Sequence, residues 1–310
     1  MASTPEPILA VVGPTASGKS ELAMRVAEGA GGELVACDSV QLYRGFDIGS
    51  AKPNRADRDR VPHHLIDAVD WHEPFDAQRF VDLADEAVAD IQSRGRIPIV
   101  CGGTGLYLRA FRYGLVALPA APPGLRETLH AAEAATPGSL YARLLREDPE
   151  SAKTIEPNNT VYIVRALEIM AATGERASDI RRSHGFRAER RPMTLVALRW
   201  TNEALRERIR ARIDDMLSGG LLDETQGLLD AGVDPDARPM RAVGYREAVE
   251  VIRGEATREG LEARIEKSTW GYARRQRTWL RKEPGVIWHD VKSTAELAKI
   301  AEDLVRQFVR

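Results

Sequence analysis

The sequence is poor in cysteine, in long apolar runs and in net charge. Its 310 residues include two cysteines, Cys37 and Cys101, each closing an apolar run (Glu33–Cys37 and Ile97–Cys101). Cysteines so placed read as small buried strand residues rather than as a disulfide or a metal pair. No apolar run exceeds a handful of residues, far short of the ~20 needed to span a bilayer. The segment Met1–Pro7 lacks the basic and apolar stretches of a signal peptide, so a cytoplasmic address without a membrane partner is expected. A formal net charge of −2 carries no global basicity that would advertise a nucleic-acid partner. There is no internal repeat and no low-complexity segment.

The cations are nevertheless clustered. Arg181, Arg182, Arg187, Arg190 and Arg191 crowd one stretch with Glu189 among them, and Arg274, Arg275, Arg277, Arg281 and Lys282 crowd another. Such runs are usually solvated helix faces. A local patch can still hold a polyanion, because phosphate attraction is felt over about a Debye length of 10 Å.

The length suits one large domain or two modest ones. Ile8–Val12 reads as a buried strand, residues 20–28 as a helix ended by glycines, and Glu33–Cys37 as a second strand. Residues 76–93 have helical apolar spacing, Ile97–Cys101 is a third strand, and Gly102-Gly-Thr-Gly105 follows it. This alternation implies an α/β fold: a P-loop NTPase-like parallel sheet flanked by helices. Between the proline-rich joint at Leu118–Gly124 and Pro192 only helical signals appear, at residues 125–135, 138–146 and 160–173. Residues 119–191 are therefore expected to form an all-helical insertion, and residues 1–118 and 192–310 the α/β core. Residues 194–198 re-enter the sheet, and helices are expected over 202–217, 221–231 and 259–282. A last strand at 286–289 precedes a helix with Ser293 and Glu296 as its capping box.

Gly13-Pro14-Thr15-Ala16-Ser17-Gly18-Lys19-Ser20 satisfies G-x-x-x-x-G-K-[ST] at every fixed position, with a strand before it and a helix after it. Its glycines let backbone amides turn toward a phosphate, Lys19 adds a cation, Ser20 can hold Mg²⁺, and the helix dipole favours an anion. Taken alone this motif names a phosphorylated ligand and favours a small-molecule or nucleotide kinase. Asp38 and Ser39 follow the second strand, at the crevice where open parallel sheets bind ligands. An aspartate there takes a proton, holds Mg²⁺ through water, or merely closes a turn. Thr104 faces the same crevice, either bonding a phosphate oxygen or capping the next helix. His63 and His64, with His72 nearby, are poor joint metal ligands because neighbours on a strand point to opposite faces.

The chain also resembles one family, the tRNA dimethylallyltransferases. The resemblance is carried by the P-loop with Asp38-Ser39-Val40-Gln41-Leu42-Tyr43-Arg44-Gly45, Asp47–Pro53, Pro62–Asp67 and Gly95–Pro98. It continues through Gly102–Tyr107, Arg165–Glu168, Val243–Arg246 and Arg275–Arg281. These blocks span nearly the whole chain. The resemblance implies a prenyl transferase in which the P-loop grips the diphosphate of dimethylallyl diphosphate, with Mg²⁺, while N6 of adenosine 37 beside the anticodon attacks. It implies Asp38 as general base, with Thr104 and Arg212 beside the leaving group. It also implies tRNA contacts from Asp38, Ser39, Val40, Gln41, Thr104, Arg126, Arg165, Arg246, Arg274 and Arg275, with the insertion as a tRNA-binding domain and the protein acting as a monomer.

Three positions depart from the family pattern. Asn159 and Tyr162 stand where an aspartate and an arginine are usual, and Trp270 where an arginine is common. All three bear on RNA contacts rather than on the diphosphate chemistry. Tyr162 or Trp270 is expected to replace a phosphate contact with stacking on a base, with packing in an amphipathic helix the other reading of Tyr162. A noncatalytic RNA-binding module with a vestigial P-loop is the remaining reading, which the intact Lys19, Ser20, Asp38 and Thr104 oppose.

Overall fold

A computed structural model describes residues 8–185 and 188–308. Met1–Pro7 and Arg187 of the first basic cluster lie outside the described residues. Six strands form one sheet: β1 (Ile8–Val12), β2 (Glu33–Cys37), β3 (His63–His64), β4 (Pro98–Gly102), β5 (Met193–Arg199) and β6 (Val286–Asp290). Their order is β3-β2-β4-β1-β5-β6, and every pairing is parallel. β1 lies between β4 and β5 and is buried along its whole length. A parallel strand covered on both faces should read as an unbroken apolar run, as Ile8-Leu-Ala-Val-Val12 does.

Register decides what meets at the carboxyl edge of the sheet. Gly102 is paired with both Cys37 and Val12, so β1, β2 and β4 end side by side. The residues that follow, Gly13, Asp38 and Gly103, are thereby brought to one crevice. A Cβ on Gly102 would lie 2.0 Å from the carbonyl oxygen of Cys37, so only glycine permits this approach.

The helices follow in chain order. α1 (Lys19–Ala30), α2 (Arg55–Arg60), α3 (Ala77–Ser93) and α4 (Gly105–Tyr113) belong to the first half. Asp76 caps α3 by accepting from the Arg79 amide at 2.9 Å, and Phe80, Ala84, Val88 and Ile91 turn its apolar face inward. Next come α5 (Leu125–Ala135), α6 (Ser139–Glu147), α7 (Pro149–Ala152), α8 (Thr160–Thr173) and α9 (Ala177–His184). The last part contains α10 (Asn202–Ser218), α11 (Leu221–Asp230), α12 (Tyr245–Ile252), α13 (Leu261–Leu280) and α14 (Glu296–Phe308). The expected capping box of α14 does not form. The Glu296 carboxylate accepts from the Lys292 amide at 3.3 Å, while the Glu296 amide donates to the carbonyl of Ser293 at 3.2 Å.

By internal packing the chain divides into Met1–Arg112 with Arg190–Arg310, and Tyr113–Glu189. The first unit holds the sheet. The second is helical, its core built on Leu129 of α5, Leu140 and Leu144 of α6, and Ile163 and Leu167 of α8. Buried Asp148 ties α7 to α9 by accepting from the amides of Ser151 at 3.1 Å and Ser178 at 2.9 Å. Burial pushes its carboxyl pKa up, but the hydrogen bonds from Ser151 and Ser178 outweigh this and bring it down to about 2.

Candidate active site

The sheet-bearing unit contains a cavity of about 800 Å³ at the carboxyl edge of its strands, bounded by Thr15, Lys19, Ser20, Asp38 and Arg212. The P-loop on its wall is held from behind. Ala16 adopts a left-handed conformation, with φ at 61°. Its carbonyl accepts from Arg208 Nε at 2.7 Å, and the Ser17 carbonyl accepts from Trp200 Nε1 at 2.8 Å. The Arg208 guanidinium stacks on the Trp200 ring at 4.6 Å, so the two donors brace each other. With its carbonyls tied outward, the loop keeps the amides of Ala16, Gly18, Lys19 and Ser20 without a protein acceptor among the described residues. These amides lie at the N-terminus of α1 and form an anion cradle. Gly13 and Pro14 open the loop, and the Ser17 hydroxyl is buried without a partner.

The side chains around the cradle are cationic. Desolvation lowers the Lys19 pKa, with Arg212 adding to the effect, and Lys19 Nζ donates to the Pro14 carbonyl at 3.4 Å. Arg212 Nη2 donates to the Ser50 carbonyl at 3.3 Å. Burial lowers its pKa too, against the opposing charge of Asp38, but a guanidinium stays charged at neutral pH. An incoming phosphate would compensate both desolvated cations.

Asp38 fulfils the turn reading and keeps reactive capacity. Its Oδ1 accepts from the amides of Val40 at 2.8 Å and Gln41 at 3.2 Å. Its Oδ2 has no hydrogen-bond partner among the described residues. Thr104 precedes α4, yet its hydroxyl does not cap that helix. Thr104 Oγ1 is buried and the Tyr272 phenol faces it without closing a well-formed bond. Desolvation pushes the Tyr272 phenol up to about 12, so it is a neutral group beside Asp38. Ser39, Val40 and Gln41 line the cavity, and Gln41 Nε2 donates to the carbonyls of Ser50 at 3.2 Å and Ala51 at 3.1 Å.

The remaining candidates are dispersed. Arg246 lines the cavity and donates to Ser268 Oγ at 3.0 Å, and Arg275 lines it with its guanidinium 5.8 Å from the Tyr272 ring. Arg274 borders a separate cavity of about 400 Å³ with Trp270, Arg277 and Arg281. The Trp270 ring carries the Arg206 guanidinium at 4.1 Å. Arg126 and Arg165 belong to the helical unit, where both engage buried Glu168, Arg126 in a two-pronged pair at 2.7 and 2.8 Å. Tyr162 is 62% exposed, which removes the packing reading, and Asn159 caps α8. In the first basic cluster Arg182 pairs with Asp179, Arg190 and Arg191 pair with Asp85, and Arg181 bonds Ser151 Oγ. In the second cluster no described residue forms an ion pair with Arg274, Arg275, Arg277, Arg281 or Lys282.

Sequence reasoning did not single out the residues that brace the site. Trp200, Arg208 and Gln276 bond P-loop backbone from more than half the chain away. The Glu224 carboxylate gathers the amides of Asp47, Ile48 and Gly49, at 3.1, 2.8 and 3.3 Å, and accepts from the Tyr245 hydroxyl at 2.5 Å. This fixes the loop whose Ser50 carbonyl receives Arg212 and Gln41. Cys37 is buried and Cys101 only half-buried, because it faces the cavity, and both are free thiols.

A resident metal finds no dedicated cage here. Among the described residues no three His, Cys, Asp or Glu side chains gather. His63 Nδ1 meets the Val61 carbonyl at 2.7 Å and His64 Nε2 meets Glu33 at 2.7 Å, so both histidines have structural partners. The exposed Ser20 hydroxyl suits an ion carried in by a phosphorylated ligand, since Mg²⁺ keeps most of its ligands as water and phosphate oxygens.

Comparison with known proteins decides the family. The sequence model of the IPP transferases matches residues 41–283, most of the chain. The chain belongs to this family. Within it, tRNA dimethylallyltransferase 1 of Pelobacter propionicus is 47% identical over 283 residues, covering 91% of each chain. The crystal structure of the full-length tRNA isopentenylpyrophosphate transferase of Bacillus halodurans superposes with a TM-score of 0.72 at 34% identity, covering 98% of this chain and 97% of that one. A eukaryotic dimethylallyltransferase acting on tRNA gives a TM-score of 0.78 at 26% identity, covering 98% and 80%. The kinase reading finds no support among these IPP transferase relatives. Among the described residues no helix is long and apolar enough to cross a membrane.

Proposed function

We propose that this chain transfers the dimethylallyl group of dimethylallyl diphosphate to N6 of adenosine 37 in the tRNA anticodon loop, releasing diphosphate. One observation carries the reading: a cradle of unpaired amides and desolvated cations shares a cavity with a carboxylate oxygen that has no partner. A kinase could use both features too; the match to the IPP transferases turns them toward prenyl transfer. The adenine N6 lone pair is delocalised into its ring, so attack depends on a good leaving group. As the bond between the allylic carbon and oxygen breaks, charge gathers on the diphosphate. Lys19, Arg212 and the amides of Ala16, Gly18, Lys19 and Ser20 stabilise that charge. Thr104 Oγ1 supplies a donor already buried beside the site.

As N6 bonds to the allylic carbon it must lose a proton, and Asp38 Oδ2 accepts it. General-base help of this kind contributes roughly 10²–10⁴-fold. Ser20 would hold a Mg²⁺ ion, which would supply neutralising charge at the leaving group. A loop adenosine is cheaper to unstack than a paired base, which suits entry into a walled cavity. Ser39, Val40, Gln41, Arg246 and Arg275 line its path. Arg274 on the sheet-bearing unit and, separately, Arg126 and Arg165 on the helical unit contribute further tRNA contacts. The enzyme works in the cytoplasm as a monomer.

Supplying dimethylallyl diphosphate or ATP with an anticodon stem-loop tests this reading. Prenylated adenosine is expected only with the prenyl donor. ATP-dependent phosphorylation in its place would sink the proposal, and absence of any turnover would favour a noncatalytic RNA-binding module.

A further inference from the structure

The P-loop contains two amides that a ligand cannot use. The Ser17 amide donates to the Pro14 carbonyl at 3.3 Å, and the Thr15 amide donates to Gln276 Oε1 at 2.8 Å. Gln276 is 3% exposed and comes from α13, far along the chain, yet it and Thr15 both border the cavity. Its other end is equally engaged, since Nε2 donates to the Gly103 carbonyl at 3.0 Å. A Cβ on Gly103 would lie 2.3 Å from that nitrogen, so the glycine turn is shaped around the Gln276 amide. The bridge spans the ends of β1 and β4 and terminates one residue from Thr104.

The free amides therefore cluster on one side. Those of Ala16, Gly18, Lys19 and Ser20 lie from Ala16 to the start of α1, whereas the upstream amide at Thr15 is already bonded. A chain of phosphates running from α1 toward Thr15 would find amide donors as far as Ala16 and none beyond it. There the Gln276 carbonyl oxygen occupies the donor and presents an acceptor of its own.

We propose that Gln276 is a specificity-determining residue that caps the upstream end of the P-loop and limits the cradle to a diphosphate. The inference rests on the diphosphate reading above and extends it to what the loop rejects. It concerns ground-state anion recognition and does not require Gln276 to touch the reacting atoms.

Direct calorimetric titration with inorganic diphosphate and inorganic tripolyphosphate, in one Mg²⁺-containing buffer, tests the idea without relying on turnover. The wild-type protein is expected to bind diphosphate at least as tightly as tripolyphosphate, although the latter carries more charge. Gln276→Ala frees the Thr15 amide and should shift the preference toward tripolyphosphate by about tenfold, the usual worth of a hydrogen bond to a charged group. An unchanged preference in a variant whose thermal melt stays cooperative overturns the proposal. So does a wild-type preference for tripolyphosphate of tenfold or more, a measurement that needs no variant. If neither anion binds, the diphosphate reading itself fails and the proposal with it. Binding of both with an unmoved ratio removes Gln276 alone.

Discussion

Asp38 Oδ1 accepts from the Val40 amide at 2.8 Å, so the backbone holds the carboxylate by one oxygen and presents the other to the cavity. The substitution Asp38→Asn is thus unusually clean. An asparagine oxygen can keep the bonds to Val40 and Gln41 while the proton-accepting oxygen becomes an amide nitrogen. Turnover should fall roughly 10²–10⁴-fold with donor binding largely retained. Steady-state kinetics beside a diphosphate titration separates the two effects. Turnover within threefold of wild type would exclude Asp38 as the base.

Thr104→Val removes a buried hydroxyl that has no well-formed partner. Such a group contributes nothing to folding, so the melting temperature should hold or rise slightly. Loss of one donor to a developing oxyanion should nevertheless lower turnover about 10²-fold or more. A variant that melts well below wild type and retains its rate would make Thr104 a structural residue.

The parallel sheet and its order of strands and helices could be read from alternating apolar runs and glycine stops. Ile8–Val12 and Glu33–Cys37 announce themselves because buried parallel strands need no polar face. The short elements could not be read this way. β3 has two residues, α7 has four, and both fall below any period that apolar spacing can reveal. Around the site, the P-loop, Asp38 and Thr104 stand beside strand ends, where local pattern is informative. Trp200, Arg208 and Gln276 act through single bonds to backbone groups at distant positions, and no local pattern marks such a role. Charge patterning was equally silent on which basic cluster is neutralised, since Asp85 lies far in sequence from Arg190 and Arg191.

That distinction between clusters is measurable. Arg274 and Arg275 have no ion pair among the described residues, whereas Arg190 and Arg191 share Asp85. Neutralising Arg274 and Arg275 together should weaken tRNA binding and flatten its dependence on salt, each lost phosphate contact removing about 0.7–0.9 from the logarithmic slope. Neutralising Arg190 and Arg191 should leave the slope nearly unchanged. Filter binding across a salt series checks both, and equal slopes for the two double variants would contradict the assignment.

Acid stability should report on Glu33. Two-pronged hydrogen bonding from Arg94 lowers its pKa most, burial opposes this, and His64 adds to the lowering, leaving it at about 2. The folded value lies below the unfolded one of 4.5, so this stabilisation is complete above that pH. It is lost as pH falls through the window from 4.5 to about 2. Glu33→Gln should therefore lower stability at neutral pH and flatten the acid slope across that window, as followed by urea unfolding at several pH values. A slope identical to wild type would contradict the prediction.

The most direct test is to follow both products of one reaction mixture containing the protein, dimethylallyl diphosphate, Mg²⁺ and an anticodon stem-loop. Diphosphate and N6-dimethylallyladenosine should appear in equal amounts, and a loop with guanosine in place of adenosine 37 should yield neither. Diphosphate released without modified base, or modification away from position 37, would contradict the assignment of the P-loop as a leaving-group cradle facing that adenosine.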